Sequence, residues 1–342
     1  MRRHLLFTIA AVLTTTAAYA ADWSPEAAAR YLDGRQKEWF EWKPALSADG
    51  PCVSCHTGMT YLLARPALRK ALKEKDPTIY EKGLLDRLRA NVGAKPAGAL
   101  QSVEAIFAAM FLTGEDVPAA MSAHRQKAFD QLWALQNTEG KNQGVWRWYA
   151  ANLDPWENPE SVYYGASLGA LALGSTPASY RNDAATRDRG AALTKYLASP
   201  PAPARLHDRL TTLWASSSLT SLLSDEARRS LVAEVFQKQS ADGGWTLESL
   251  GPWMTHENAP VHQGSDAYAT AYAAFALHKG GVSSTDARMK KAIAWLKSKQ
   301  DPASGAWPAV SMNKQRPPDS MEGRFMQDAA TAFASIVLVE TR

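Results

Sequence analysis

The sequence has few cysteines, little net charge and no long apolar run after its first twenty residues. Its 342 residues include two Cys, and 38 Lys and Arg stand against 34 Asp and Glu, for a formal net charge of +4. Because this charge is small and scattered, it does not favour nucleic acid as a partner. The absence of a stretch of about 20 apolar residues argues against a stable membrane span. Thiol chemistry, if any, is confined to one place in the chain.

The N-terminus has the pattern of a secretory signal peptide. Arg2 and Arg3 precede an apolar run, and Ala18-Tyr19-Ala20 supplies small residues at a cleavage site. We therefore predict a signal peptide at 1–20 and a single mature domain at 21–342. The predicted location is the periplasm if the source is Gram-negative. The alternative is a buried or anchoring N-terminal helix.

Both cysteines lie in one short motif, Cys52-Val53-Ser54-Cys55-His56. This is the C-x-x-C-H pattern of covalent c-type haem attachment, in which two thiols form thioethers and the histidine ligates the iron. The motif predicts one haem c held by Cys52, Cys55 and His56. Two alternatives stay open, namely a zinc site completed by other parts of the fold and a simple disulfide or thiol pair.

The remaining chain predicts helices and no convincing strands. Amphipathic helices with one charged face alternate with Ala-rich helices that are apolar nearly all round, which is typical of an outer and an inner layer. Six such pairs favour an all-α (α/α)6 toroid of six helical hairpins, and an open superhelix is the alternative. The predicted outer helices are 25–42, 81–91, 126–135, 187–197, 225–237 and 284–299, and the inner ones are 59–72, 102–112, 160–173, 206–223, 265–278 and 327–338.

Three connections share a Gln, a Gly-containing turn and a Trp. The clear copies run from Gln239 to Trp245 and from Gln300 to Trp307, and a looser copy runs from Gln136 to Gly144-Val145-Trp146. They resemble the glutamine-tryptophan repeats of squalene cyclases and protein prenyltransferase β subunits. The resemblance implies a terpenoid-cyclase-like α-toroid in which each Gln and Trp braces the neighbouring helix.

The chain departs from those families at their chemical sites. The Asp-x-Asp-Asp motif with which squalene cyclases protonate their substrate is absent, and the length provides one toroid where those cyclases have two. Triterpene cyclisation is therefore not expected. The zinc site of the prenyltransferases is not expected either, because neither cysteine lies in the later repeats.

The alternation of helices also predicts where polar residues gather. Every connection from an outer to an inner helix must lie at the same end of a toroid, so the haem motif should share one mouth with polar and aromatic residues from the other hairpins. For Glu104, Asp266 and Asp328, helix capping is the alternative. The residues expected at this mouth are Glu104, Asp154, Trp156, Glu157, Glu160, Tyr163, Tyr164, His207, Asp208, Trp214, Met254, His256, Glu257, His262, Asp266, Tyr268, Tyr272, Arg324, Met326, Gln327 and Asp328.

These features predict an exported redox protein, active in electron transfer with a periplasmic partner or in haem-dependent oxidation of a small or apolar molecule in the toroid. His262 is the predicted second iron ligand, ahead of Met254, His256 and Met326. The alternative function is a non-redox hydrolase or lyase for a periplasmic glycan, with Glu157 and Asp266 as acid and base and Tyr268 beside them. A third possibility, from the resemblance alone, is an isoprenoid-lipid binding protein.

Overall fold

The computed structural model describes residues 23–47, 50–93, 100–116, 120–200 and 204–342. The predicted signal peptide lies outside them. In this part of the chain, fourteen α-helices are joined by short 3₁₀ turns and one two-stranded hairpin, β1 (Leu46–Ser47) with β2 (Gly50–Pro51). The helices are α1 (Pro25–Glu41), α2 (Gly58–Leu72), α3 (Ile79–Asn91), α4 (Gln101–Phe111), α5 (Ala123–Leu135), α6 (Val162–Gly174), α7 (Ala178–Asn182), α8 (Ala184–Leu197), α9 (Leu206–Ala215), α10 (Asp225–Gln237), α11 (Leu247–Leu250), α12 (Ala267–Lys279), α13 (Ala287–Lys299) and α14 (Phe325–Glu340).

The outer helices begin at side-chain caps. In each of α1, α3, α5, α8, α10 and α13 a Ser, Thr or Asp accepts a hydrogen bond from a backbone N–H of the first turn. Thr78 and Glu81 form a complete capping box at α3. Because these polar residues directly precede amphipathic segments, the sequence itself indicates where the outer helices begin.

Six mostly apolar helices form the inner ring, which closes between the first and the last part of the chain. They are α2, α4, α6, α9, α12 and α14. Helix α14 packs against both α12 and α2, and α1 also contacts α14. Trp23 packs on Trp307 with ring centroids 6.0 Å apart. Contacts between the first and the sixth hairpin distinguish a closed ring from an open superhelix, so the predicted (α/α)6 toroid is confirmed.

The three Gln-Trp repeats have the same hydrogen bonds. The side-chain amide nitrogen of Gln136, Gln239 or Gln300 donates to the glycine carbonyl of its own turn at 2.8–2.9 Å. It also donates, at 2.9–3.1 Å, to a carbonyl at the cap or in the first two turns of the next outer helix. The indole nitrogen of the following Trp donates to a carbonyl of the preceding outer helix. Trp146, Trp245 and Trp307 are buried, as expected if each braces the neighbouring helix.

One predicted boundary was wrong by several residues. Helix α9 ends at Ala215, whereas the apolar pattern predicted a helix continuing to Leu223. The hydroxyls of Ser216 and Ser217 donate to the carbonyls of Leu213 and Trp214, so side chains satisfy the groups that another helical turn would use. The short helices α7 and α11 were not predicted.

Aromatic rings fill the centre of the toroid. Tyr268 and Tyr272 stack with parallel planes, Tyr272 and Phe275 both contact Phe333, and His207 stacks on Tyr272 at 4.7 Å. The Nε2 atom of His207 lies 2.7 Å from the Tyr268 hydroxyl. Within the described residues, no helix is long and apolar enough to cross a membrane.

Candidate functional site

A buried aspartate joins the mouth loops of four hairpins. One carboxylate oxygen of Asp154 accepts from Arg205 at 2.8 Å, and the other accepts from the Met254 backbone N–H at 2.7 Å. The backbone of Asp154 also exchanges two hydrogen bonds with the Asn313 side chain, at 2.8 and 2.6 Å. The third to sixth hairpins therefore meet at one rim, as the alternation of helices predicted.

The loop that carries Asp154 also fixes Glu157. The backbone of Glu157 pairs with that of Leu153 through two hydrogen bonds of 2.8 and 2.9 Å, and its carbonyl also accepts from Ala151. The neighbouring Trp156 is buried with its ring edge-on to Tyr268. Desolvation raises the pKa of the Glu157 carboxyl from 4.5 to about 7. A large fraction of this carboxyl therefore carries a proton at neutral pH.

Glu157 lies in a small cleft of about 70 Å³ at the mouth. A second carboxyl, that of Glu322 in the 3₁₀ turn before α14, lines the same cleft and lies 3.8 Å from the Arg316 guanidinium. The cleft thus holds a readily protonated carboxyl and a carboxylate with a cationic neighbour. Its lining residues are His56, Leu153, Asp154, Trp156, Glu157, Ser311, Asn313, Arg316, Glu322, Phe325 and Met326.

His56 forms one wall of this cleft and is clamped between aromatic rings. Its imidazole stacks on Phe325 with centroids 3.6 Å apart and lies 5.5 and 6.0 Å from the rings of Trp39 and Trp156. Burial, with a smaller contribution from Arg35, lowers the pKa of His56 from 6.5 to about 3. The ring is therefore neutral at physiological pH.

The predicted site residues fall into two groups. His56 and Glu157 line the same cleft, and Cys52 and Cys55 precede His56 in the chain. Burial raises the pKa of both thiols; the charge of Glu157 adds to the rise at Cys55, and the charges of Glu104 and Glu157 add to it at Cys52.

His262, Asp266 and Tyr268 do not line the cleft. Asp266 caps α12 by accepting from Ala269 at 2.9 Å, which is the alternative that the sequence left open, and Tyr268 lies behind Trp156. Burial raises the pKa of Asp266, and the backbone N–H of Ala269 and the nearby His262 oppose this rise. The catalytic roles of Asp266 and Tyr268 and the iron-ligand role of His262 stay predictions.

The residues around the C-x-x-C-H motif do not fit a haem as they are packed. Cys55 is buried, and the face of the His56 ring that a haem would need is covered by Phe325, whose ring stacks on it at 3.6 Å. Among the described residues there is no cluster of three or more His, Cys, Asp or Glu that could hold a metal ion. Covalent haem at Cys52 and Cys55 stays a prediction from the motif, and no step proposed below passes through it.

Comparisons with known proteins establish the fold. No family model matches the chain, and no curated protein matches it. Among solved structures it is similar to the alpha-1,6-mannanase GH76A of Salegentibacter sp. HEL1_6, an inactive variant in complex with alpha-1,6-mannotetrose. The TM-score is 0.54 at 10% identity, over 92% of this chain and 99% of that one. This likeness supports the predicted toroid but nothing specific to squalene cyclases.

The prediction of a cytochrome c with an electron-transfer or oxidoreductase function is wrong. The toroid is similar to that of a glycoside hydrolase, and the part of the chain that the structure describes has no metal-holding cluster. The physical reason lies in the length of the motif. Five consecutive residues specify thiols and an imidazole, but the space for a macrocycle depends on Phe325 and Trp156, which come from distant hairpins.

Sequence reasoning missed several residues that shape the site. Asn313, Arg316 and Glu322 lie in the long connection before α14, where no repeat or spacing marked them. Thr57 directly follows the motif, and its hydroxyl donates to Asp328 at 2.8 Å. The sequence predicted Asp328 at the mouth. Its partner Thr57 could not be predicted, because the two residues meet only when the sixth hairpin packs against the first.

Proposed function

We propose that the protein is a non-redox hydrolase acting on a glycan, with its active site in the mouth cleft. The observation that carries this proposal is the pair of carboxyl groups in one cleft, of which Glu157 has a pKa raised to about 7 and Glu322 lies beside Arg316. Glycosidases use one protonated and one ionised carboxyl in this way. The similarity of the fold to that of a mannanase is consistent with the proposal.

In the proposed reaction, Glu157 gives its proton to the glycosidic oxygen while the bond between that oxygen and the anomeric carbon breaks. The Glu322 carboxylate stabilises the positive charge that develops at the anomeric carbon. A water molecule then supplies the hydroxyl group to this carbon and returns its proton to a carboxylate of the pair. Trp156 and Phe325 provide apolar surface beside the reacting bond.

The proposed carboxyl pair differs from the one predicted from the sequence. Glu157 keeps its role, and Glu322 takes the place of Asp266, because Asp266 serves as a helix cap outside the cleft. The mannanase variant has two consecutive aspartates replaced by alanine. This chain has no two consecutive aspartates, so its pair is assigned from its own cleft.

The test is a hydrolysis assay on Glu157→Gln. We expect the wild type to release reducing ends from alpha-1,6-mannotetrose or from another member of a panel of linkages. Removal of a general acid should lower kcat by about 10²- to 10⁴-fold. The wild-type rate should also fall as the pH rises through about 7, because Glu157 must be protonated.

The matched control is Glu160→Gln, which changes an exposed glutamate three residues away and should retain wild-type activity. Equal activity of the wild type and Glu157→Gln would refute the assignment of the acid. An absence of hydrolysis across the panel by the folded wild type would refute the function itself.

A further inference from the structure

The hydrogen bonds behind His56 determine which of its nitrogens carries the proton. The Nδ1 atom lies 2.8 Å from the Thr57 hydroxyl oxygen and 3.4 Å from that of Ser54, so Thr57 makes the closer contact. The Thr57 hydroxyl donates to a carboxylate oxygen of Asp328 at 2.8 Å. A hydroxyl has a single proton. Because the proton of Thr57 is committed to Asp328, its oxygen can only accept from His56.

The environment of Asp328 supports this direction. Its carboxylate receives two guanidinium bonds from Arg35, at 2.7 and 3.0 Å, and one hydroxyl bond from Tyr31 at 2.8 Å. Burial raises the pKa of this carboxyl while Arg35 opposes the rise. Since all of these partners are donors, Asp328 serves as an ionised acceptor, and the chain Nδ1–H to Thr57 to Asp328 runs in one direction.

This chain leaves Nε2 of a neutral ring without a proton. The stacked Phe325 ring and the edge of Trp39 restrict rotation of the imidazole, so its two nitrogens cannot readily exchange places. With Nδ1 bonded to the protein, Nε2 is the nitrogen left for the cleft that His56 lines with Glu157.

We propose that Asp328 and Thr57 hold His56 as a fixed acceptor, whose Nε2 binds a hydroxyl group of the glycan next to the bond that Glu157 protonates. This inference rests on the proposed function and deepens it. The substrate class is a glycan with a free hydroxyl beside the scissile linkage. Thr57 and Asp328 are positioning residues that act through His56.

The first measurement is ¹⁵N NMR of the protein labelled at histidine, near pH 7. We expect His56 to show a protonated Nδ1 and a bare Nε2. Thr57→Val, which removes the hydroxyl at nearly constant volume, should give a mixture of tautomers, and Thr57→Ser should restore the single form. Thr60→Val is the matched control, because the Thr60 hydroxyl bonds the His56 carbonyl and not its ring. A wild-type His56 protonated at Nε2, or an unchanged tautomer in Thr57→Val, would overturn the positioning role.

The second measurement uses the best substrate of the panel. Thr57→Val should raise KM about tenfold and leave kcat within a few-fold, because a binding contact is weakened while the acid is retained. Thr57→Ser and Thr60→Val should keep the wild-type KM, and thermal melting shows whether each variant is folded.

An unchanged KM in folded Thr57→Val with mixed tautomers would overturn the acceptor role and leave the hydrolase intact. If no glycan is hydrolysed at all, the proposed function and the acceptor role fall together, whereas the NMR result still decides the tautomer.

Discussion

At the scale of single residues, the burial of Glu157 has a consequence for stability as well as for chemistry. In the unfolded chain its carboxyl loses its proton near pH 4.5, whereas in the folded protein it keeps the proton up to about pH 7. Between these values the folded state binds more protons than the unfolded state. The free energy of unfolding contributed by this group therefore falls as the pH rises from about 4.5 to about 7.

We predict that Glu157→Gln removes this decline. The decline amounts to roughly 3 kcal/mol at most, since each unit of pKa shift corresponds to about 1.4 kcal/mol. Denaturant unfolding at several pH values should show wild type and variant differing more at pH 8 than at pH 4, with the variant the more stable at the higher pH. The exposed Glu160→Gln should follow the wild type at every pH, and a parallel profile for Glu157→Gln would contradict the burial of this carboxyl.

His56 contributes the opposite dependence. Its pKa is lowered to about 3, so between about pH 3 and 6.5 the unfolded chain binds a proton that the folded protein does not. This contribution to stability is lost as the pH falls. Because the two slopes oppose each other between about pH 4.5 and 6.5, only single variants separate them.

At the scale of an element, the repeats depend on a glycine where the chain turns inward. Gly305 has a φ of +80°, and a Cβ there would lie 2.4 Å from the backbone carbonyl of Ala27 in α1. Backbone atoms cannot rotate away as a flexible side chain can. Gly144 and Gly243 approach the next outer helix in the same way.

Gly305→Ala should therefore lower the free energy of unfolding by more than the strained backbone conformation alone would. We expect about 1–2 kcal/mol for a left-handed alanine and a further 1–3 kcal/mol for the clash with α1. Gly264→Ala isolates the first contribution, because Gly264 has a φ of +71° and open space around its Cβ position. In chemical denaturation, Gly305→Ala should have a lower free energy of unfolding than Gly264→Ala. Equal losses of stability in the two variants would mean that Gly305 does not approach α1 closely.

At the scale of the whole molecule, the mouth depends on the buried pair of Asp154 and Arg205. Both side chains are about 1% exposed, and Arg205 also bonds Asp208. Removing the charge of Asp154 would leave Asp208 as the charged partner of Arg205 and would weaken the hydrogen bonds that Arg205 and the Met254 N–H donate to Asp154. A hydrogen bond to a charged group contributes about 1.5–3 kcal/mol. The same change would loosen four hairpins at the rim of the cleft.

Asp154→Asn should accordingly lower the free energy of unfolding by about 1.5–3 kcal/mol and reduce the proposed hydrolysis, although Asp154 takes no part in the proposed chemistry. The control, Asp301→Asn, changes an aspartate that bonds only within its own exposed turn and should alter stability by less than about 0.5 kcal/mol. A variant Asp154→Asn as stable as the wild type would mean that the rim is held by other contacts.

The sequence by itself determined the layers of this protein. The polar caps and charged faces of the outer helices and the apolar inner helices are local patterns, and each follows from 3.6-residue periodicity and backbone hydrogen bonding. The Gln-Trp turns are local in the same sense, since Trp245 bonds the carbonyl of Val235 only ten residues away. From these patterns follow the six hairpins and the placement of every outer-to-inner connection at one mouth.

Only the tertiary structure decided which mouth residues act together. Glu322 and Glu157 come from connections about 165 residues apart, and Asp328 reaches Thr57 across 271 residues, because the ring closes between its sixth and first hairpins. The C-x-x-C-H motif predicted a haem from five consecutive residues but said nothing of Phe325, whose ring lies against His56. Burial also raised the pKa of Glu157 and lowered that of His56, and burial is a property of the packed loops that no single segment of the chain contains.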